Sequence, residues 1–201
     1  MRLAINKLFF HLLLASVLPF AGQCADALPT IAVFTDSMGL AAPGANRGPH
    51  YLTIAWSDGR IVWARDQQSG GPPYLTAQIE PSRVQQLLKQ FAERGVFEKS
   101  GLRHSWLGPD SSYQAIWLSS GDDHVQLRTW HELFERNPNV VVINGGVTSL
   151  DGRSREEVIG NDTKAFREFR AVWSDLRAAV SGLIPPDGAP YSDAIGFKLP
   201  K

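Results

Sequence analysis

Acidic and imidazole side chains crowd one part of the chain: Asp122, Asp123, His124, His131 and Glu132, with His104 and Asp110 a little before them. Carboxylates and imidazoles together can ligate a divalent cation or act as an acid–base pair. On that reading Asp123, His131 and Glu132 would be the metal ligands of a hydrolase, assisted by His104 and Asp110. Spacing argues against it. Asp122-Asp123 fits a hairpin turn, and His124 opens a strand that Trp130-His131 closes. Extended chain of that length holds the two histidines about 20 Å apart. A solvated turn and a helix-capping His131-Glu132 account for the same residues. No catalytic residue is therefore assigned, and no cofactor is expected.

Aromatic residues offer the second chemistry. Six tryptophans stand in 201 residues, and aromatic platforms bind sugars or fill partner pockets. Trp56, Trp63 and Trp173 fall on stripes that read as core. Trp106 and Trp117 do not, and with Tyr74 and His104 they form the set expected to contact a ligand or partner. Core packing competes for both tryptophans, and a rigid turn competes for the Gly70-Gly71-Pro72-Pro73-Tyr74 loop. The chain has no Gly-x-Ser-x-Gly elbow, phosphate-binding Gly-rich loop, His-Glu-x-x-His or dinucleotide fingerprint. That does not exclude an enzyme, because triads and carboxylate pairs are assembled in space.

The elements that would position these residues centre on Tyr51 to Phe97. Asp58-Gly59 between apolar runs is a strong hairpin signal, since a two-residue type I′ turn needs positive φ at both central positions. With that loop Trp56 faces Ile61 and Ile54 faces Trp63, so Leu52, Ile54, Trp56, Ile61 and Trp63 share a core face. A loop over 66–73 leads to a third strand, Tyr74 to Ile79. Pro81 then suits the first turn of a helix over 81–94, with Val84, Leu87, Leu88 and Phe91 on one stripe and Gly95 as its C-terminal cap. This stripe is expected on the Leu52/Ile54/Trp56 face.

A second pass follows. Tyr113 to Gly121 aligns without a gap on Tyr51 to Gly59, and His124 to Trp130 alternates as a return strand should. Asn161-Asp162-Thr163 can cap a helix over 163–181 whose apolar positions are Phe166, Phe169, Val172, Trp173, Leu176 and Val180. Its end, Ser181-Gly182-Leu183-Ile184, echoes the cap at Gly95. The fold class is thus α+β: an antiparallel sheet with two main helices on one face, in two duplicated hairpin-plus-helix units at about 51–97 and 113–184. His131 to Gly160 is an insertion, with a helical turn at Glu132–Glu135, a buried strand at Val140–Ile143, and turns at Asn144-Gly145-Gly146 and Asp151-Gly152-Arg153.

Outside the 51–184 domain, residues 28–50 read as one strand, Thr30–Phe34, and a loop. Residues 185–201 read as an irregular tail. Residues 1–27 have the pattern of a secretory signal: Arg2 and Lys7, an apolar run from Leu8 to Val17 and Leu18, and a small-x-small site at Ala25-Asp26-Ala27. That run is too short to span a bilayer comfortably. Cys24 is the single cysteine. A lipid-modified cysteine wants a small residue before it, and Gln23 stands there, so Cys24 is read as leaving with the signal. The mature chain then holds 18 basic and 19 acidic residues. Near-neutrality without a basic run argues against nucleic acid as a partner.

The segments Trp56-Ser57-Asp58-Gly59, Gly70-Gly71-Pro72-Pro73-Tyr74, Trp130-His131-Glu132-Leu133-Phe134, Leu150-Asp151-Gly152-Arg153 and Phe169-Arg170-Ala171-Val172-Trp173 resemble a group of exported bacterial proteins of uncharacterised function. The resemblance implies export and no activity or site. The expectation is a periplasmic or extracellular binding or interaction domain, without a transmembrane segment in the mature chain. It would meet a protein or another envelope component through the sheet's open face or loops 66–73 and 103–112.

Overall fold

The computed structural model describes residues 28–37, 48–98, 101–108, 112–135 and 137–192, and the single positions 195, 197 and 199. The signal pattern over 1–27, Cys24 and Asp110 lie outside the described residues.

Within these residues the chain is α+β. The elements are β1 (Ile31–Ser37), β2 (His50–Ala55), β3 (Arg60–Ala64), β4 (Tyr74–Gln78), α1 (Pro81–Glu93), β5 (Ser105–Trp106), β6 (Ser112–Ser120) and β7 (Asp123–Thr129). There follow α2 (His131–Glu135), β8 (Val140–Ile143), β9 (Gly146–Ser149), α3 (Arg155–Ile159), α4 (Lys164–Leu183) and β10 (Ala189–Tyr191). One eight-stranded sheet runs β10-β4-β3-β2-β1-β6-β7-β5, and β8 and β9 form a separate pair. The large sheet is mixed, because β5 lies parallel to β7 while the other pairs are antiparallel.

Both segments set outside the domain prove integral to the sheet. β1 occupies its centre, paired with β2 on one side and β6 on the other. The residues after Ile184 add β10 to the far edge against β4, and Phe197 is buried. Helix α4 runs through Gly182 to Leu183. It stops before Pro185, so the echo of the Gly95 cap fails there.

The first hairpin differs from its expected register by one residue. Trp56 N–H donates to Arg60 O at 2.9 Å and Gly59 N–H donates to Trp56 O at 3.0 Å. This is a three-residue loop, Ser57-Asp58-Gly59, in which Gly59 alone turns to positive φ, at 87°. A type I turn followed by a left-handed residue is the usual build of such a loop. The pairs are therefore Ala55↔Ile61, Ile54↔Val62 and Thr53↔Trp63. A slip of one residue exchanges faces, so Ile61 and Trp63 lie opposite Ile54 and Trp56 rather than beside them. Gly59 is required for a second reason: a Cβ there would lie 2.2 Å from Ile79 O.

Two cores result. The larger joins Ile31, Val33, Ile61, Trp63, Ile116 and Leu118 to Val84 and Phe91 of α1 and to Phe166, Phe169 and Trp173 of α4. The smaller joins Ala32, Phe34, Tyr51, Ile54, Trp56, Val62, Tyr113 and Trp117 to Phe197. Alternation along β1 sends Ile31 and Val33 to one side of the sheet and Ala32 and Phe34 to the other. Val84 and Leu88 thus pack with the Ile61/Trp63 side, and the expected contact with Ile54 is corrected. Arg83 and Arg94 tie α1 to α4 through Gly182 O at 2.6 Å and Asp175 at 2.8 Å.

Candidate functional site

Thr129 ends β7, and two residues on His131 opens α2. Thr129 Oγ1 accepts the His131 amide N–H at 3.2 Å and lies 2.6 Å from His131 Nδ1. Helix α2 lies against α4, where Phe166, Phe169 and Trp173 stack along one face. The His131 ring stands edge-on to all three, 5.8–6.3 Å between centroids. Burial among these rings, reinforced by the charge of Arg170, pushes its pKa from 6.5 down to about 3. His131 is a neutral imidazole at physiological pH.

The neighbouring turns of α2 carry the charges. Glu132 accepts the Trp173 indole N–H at 2.7 Å and faces Arg177 Nε at 3.4 Å. Glu135 Oε1 pairs with Arg170 Nη1 and lies 3.9 Å from His131 Nε2. Burial raises the Glu135 pKa, and the Glu132 charge adds to this against the opposing pull of Arg170.

Arg170 extends the network beneath the insertion. Its Nη2 donates to Val142 O at 2.6 Å and faces Asp162 Oδ2 at 3.4 Å. The guanidinium lies over the Phe166 ring. Asp162 Oδ1 in turn accepts the Asn144 amide N–H at 3.1 Å, and Asn144 Oδ1 accepts the amide N–H of Thr163, the N-cap of α4. Asn144-Gly145, with φ of 51° and 81°, is the β8–β9 turn. A single polar chain therefore locks β7, α2, the β8–β9 turn and α4 together. Above it, between α2 and α4, opens a cleft of about 490 Å³. Ala171 and Ser174, small and exposed, leave the space on the α4 side.

The residues singled out from sequence fall in different places. His131 and Glu132 are both in this site. Asp123 is exposed at the other end of β7, paired with Ser120, and the hairpin turn is Gly121-Asp122 rather than Asp122-Asp123. Asp123, His131 and Glu132 therefore cannot be one ligand set. Among the described residues no three His, Cys, Asp or Glu converge to hold a metal ion.

The aromatic set is also corrected. Trp117 is 1% exposed, donating to Pro29 O at 3.2 Å and stacked on His124. Trp106 is 4% exposed, in ring contact with Phe166 and Phe169. Neither can serve as an open platform. Tyr74 is half-buried against the smaller core. His104 is half-buried with its pKa lowered by burial, and its Nε2 is shielded with no hydrogen-bond partner among the described residues. In the 66–73 loop Asp66 Oδ1 accepts two amide N–H groups, and Gln67 donates to Leu52 O and Ala64 O.

The sequence does not single out Glu135, Arg167, Arg170 or Arg177, and it offers Asp162 only within a helix cap. The one available signal was helical spacing: Arg170 and Arg177 flank Trp173 at three and four residues, which places them beside the stripe they share. Among the described residues no helix is long and apolar enough to cross a membrane. No family model matches the chain and no curated protein matches it, so the site stands on its own geometry.

Proposed function

We propose that the chain is an exported, non-enzymatic binding domain and that its ligand site is the cleft between α2 and α4. The observation that carries this reading is the cleft itself. Its 490 Å³ falls within the range of small-molecule sites, roughly 300–1,000 Å³, and its walls combine fixed charges with small residues. Binding is favoured over hydrolysis by the state of the Thr129–His131 hydroxyl–imidazole pair. Thr129 is fully buried, so substrate has no path to its Oγ1. His131, held near pKa 3, is too weak a base to activate it at neutral pH. Export rests on the basic, apolar and small-residue order of 1–27.

Two features of the fold belong to the same proposal. One is a single layer of α1 and α4 on the Ile31/Val33 side, supported by the membership of the larger core. The other is the duplication of 51–97 in 113–184, supported by the pairing of both β2 and β6 with β1.

The site is tested by filling it. Thermal midpoints of the chain and of Ala171→Leu are measured across a library of small polar metabolites. Compounds that raise the midpoint of the first and not the second are expected, since a ligand of the native state alone stabilises it. Stabilisation equal in both, or in neither, would remove the cleft as the ligand site.

A further inference from the structure

We propose that the α2–α4 cleft takes a small free α-amino acid, its carboxylate on Arg167 and its ammonium on Glu135; this rests on reading the cleft as the ligand site. The assignment follows from which bonding capacity the network leaves unused. Arg170 is committed through Nη1 and Nη2 to Glu135, Asp162 and Val142 O, while its unpaired Nε is buried and closed to the cleft, and Arg177 is committed to Glu132. Glu132 uses both oxygens, one on Trp173 and one on Arg177.

Two charged groups of the lining keep capacity. Arg167 is exposed and donates through Nη1 to Asp162 O, and it forms no ion pair with an acid among the described residues. Glu135 meets both Arg170 and His131 through Oε1, and its Oε2 has no partner among the described residues.

Both line the cleft, and both reach the Arg170–Asp162 pair, Arg167 through Asp162 O and Glu135 through Arg170. Arg167 is three residues before Arg170, hence a neighbour on the helix surface, and Arg170 holds Glu135. A simple anion on Arg167 would face Glu135, and a simple cation on Glu135 would face Arg167. Each arrangement opposes like charges; a ligand carrying both signs on adjacent atoms satisfies both groups. The guanidinium suits a carboxylate by its planar fork. Beyond this pair, Ala171 and Ser174 follow on α4, one apolar and one with a hydroxyl. They leave room for a short side chain with a polar end.

The test is calorimetric titration of the full chain at pH 7 and fixed ionic strength with L-serine, acetate and methylammonium in turn. L-serine is expected to bind at least about tenfold more tightly than either half, since it alone satisfies both charged groups at once. Arg167→Gln, its thermal midpoint measured alongside to confirm folding, is expected to weaken L-serine by about tenfold or more and acetate in parallel. The methyl ester of L-serine is expected to lose affinity as the variant does. Acetate binding as tightly as L-serine, no L-serine binding, or an unchanged Kd in Arg167→Gln would overturn the amino-acid assignment. Ala171→Leu separates the two readings. If it abolishes binding of acetate while L-serine is no better, the cleft stands and the ligand class falls. If L-serine binds and Ala171→Leu leaves it unchanged, both fall.

Discussion

Ile31 and Val33 project into a core shared with the apolar stripes of α1 and α4, whereas Ala32 and Phe34 project into one built from Tyr51, Trp56, Tyr113 and Trp117 and closed by Phe197. The two sides of the sheet solve the same problem with different chemistry. Each must keep polar atoms among aromatic rings. The larger core borders on charges, paired off as Arg170 with Glu135 and Asp162, with His131 held neutral beside them. The smaller core uses phenol hydroxyls, which carry no charge until strongly alkaline pH; burial pushes that of Tyr51 up to about 12. Ionic pairing leaves a region exposed to acid and to loss of one partner, because the surviving charge is stranded. Phenols make the other side sensitive to alkali.

The largest expected difference comes from removing one ion. Arg170→Met leaves Glu135 and Asp162 without their shared partner, and should lower the unfolding free energy by about 3–5 kcal/mol in denaturant melts. A loss below about 1 kcal/mol would mean that the network is solvated and weak.

Next comes pH, with opposite signs on the two sides. The His131 imidazole titrates near 6.5 when unfolded and near 3 when folded. Between those values the unfolded chain binds a proton that the folded chain does not. Stability therefore falls as pH drops from about 6.5 toward 3, by at most a few kcal/mol. Glu135 partly offsets this: with its pKa raised, the folded chain takes its proton first. For Tyr51, with 10 unfolded and about 12 folded, stability falls as pH rises above 10. Melts from pH 4 to 11 should show an acid arm that His131→Asn flattens and an alkaline arm that Tyr51→Phe flattens.

Smaller effects sharpen the contrast further. Phe197→Ala should cost about 2–3 kcal/mol, below the range for a fully enclosed phenylalanine, because 8% of it is already exposed. Gly59→Ala should cost about 2 kcal/mol, as the added Cβ meets Ile79 O and φ stays positive. If Gly59→Ala were neutral, the three-residue loop and the face assignment that depends on it would both be wrong.

Much of the fold was legible because helices announce their buried side locally. Val84, Leu87, Leu88 and Phe91 recur at helical spacing and are the buried residues of α1. The first hairpin was misread because Asp-Gly fits a two-residue loop as readily as the end of a three-residue one, and the difference exchanges faces. A register shift between Val33 and Phe34, which lets Leu52 join the larger core beside Ala55, leaves no mark in sequence. Nor does strand order: nothing in Ile31–Ser37 shows that it lies between β2 and β6.

At the site, His131 and Glu132 stood out as adjacent titratable residues. Glu135 meets Arg170 across 35 residues and Asp162 meets it across eight, separations that no local pattern records. Trp117 looks free in sequence because its partners, Pro29 O and the stacked His124, come from a separate segment and from the next strand, and neither leaves an apolar pattern.

The most direct measurement is the titration of the His131 ring by NMR, assigned against His131→Asn. With α2 docked on the Phe166/Phe169/Trp173 row, its shifts should stay constant from pH 8 to 5 and move only in strong acid, toward pH 3. A midpoint near 6.5, the value of a solvated imidazole, would contradict the buried network and the cleft built upon it.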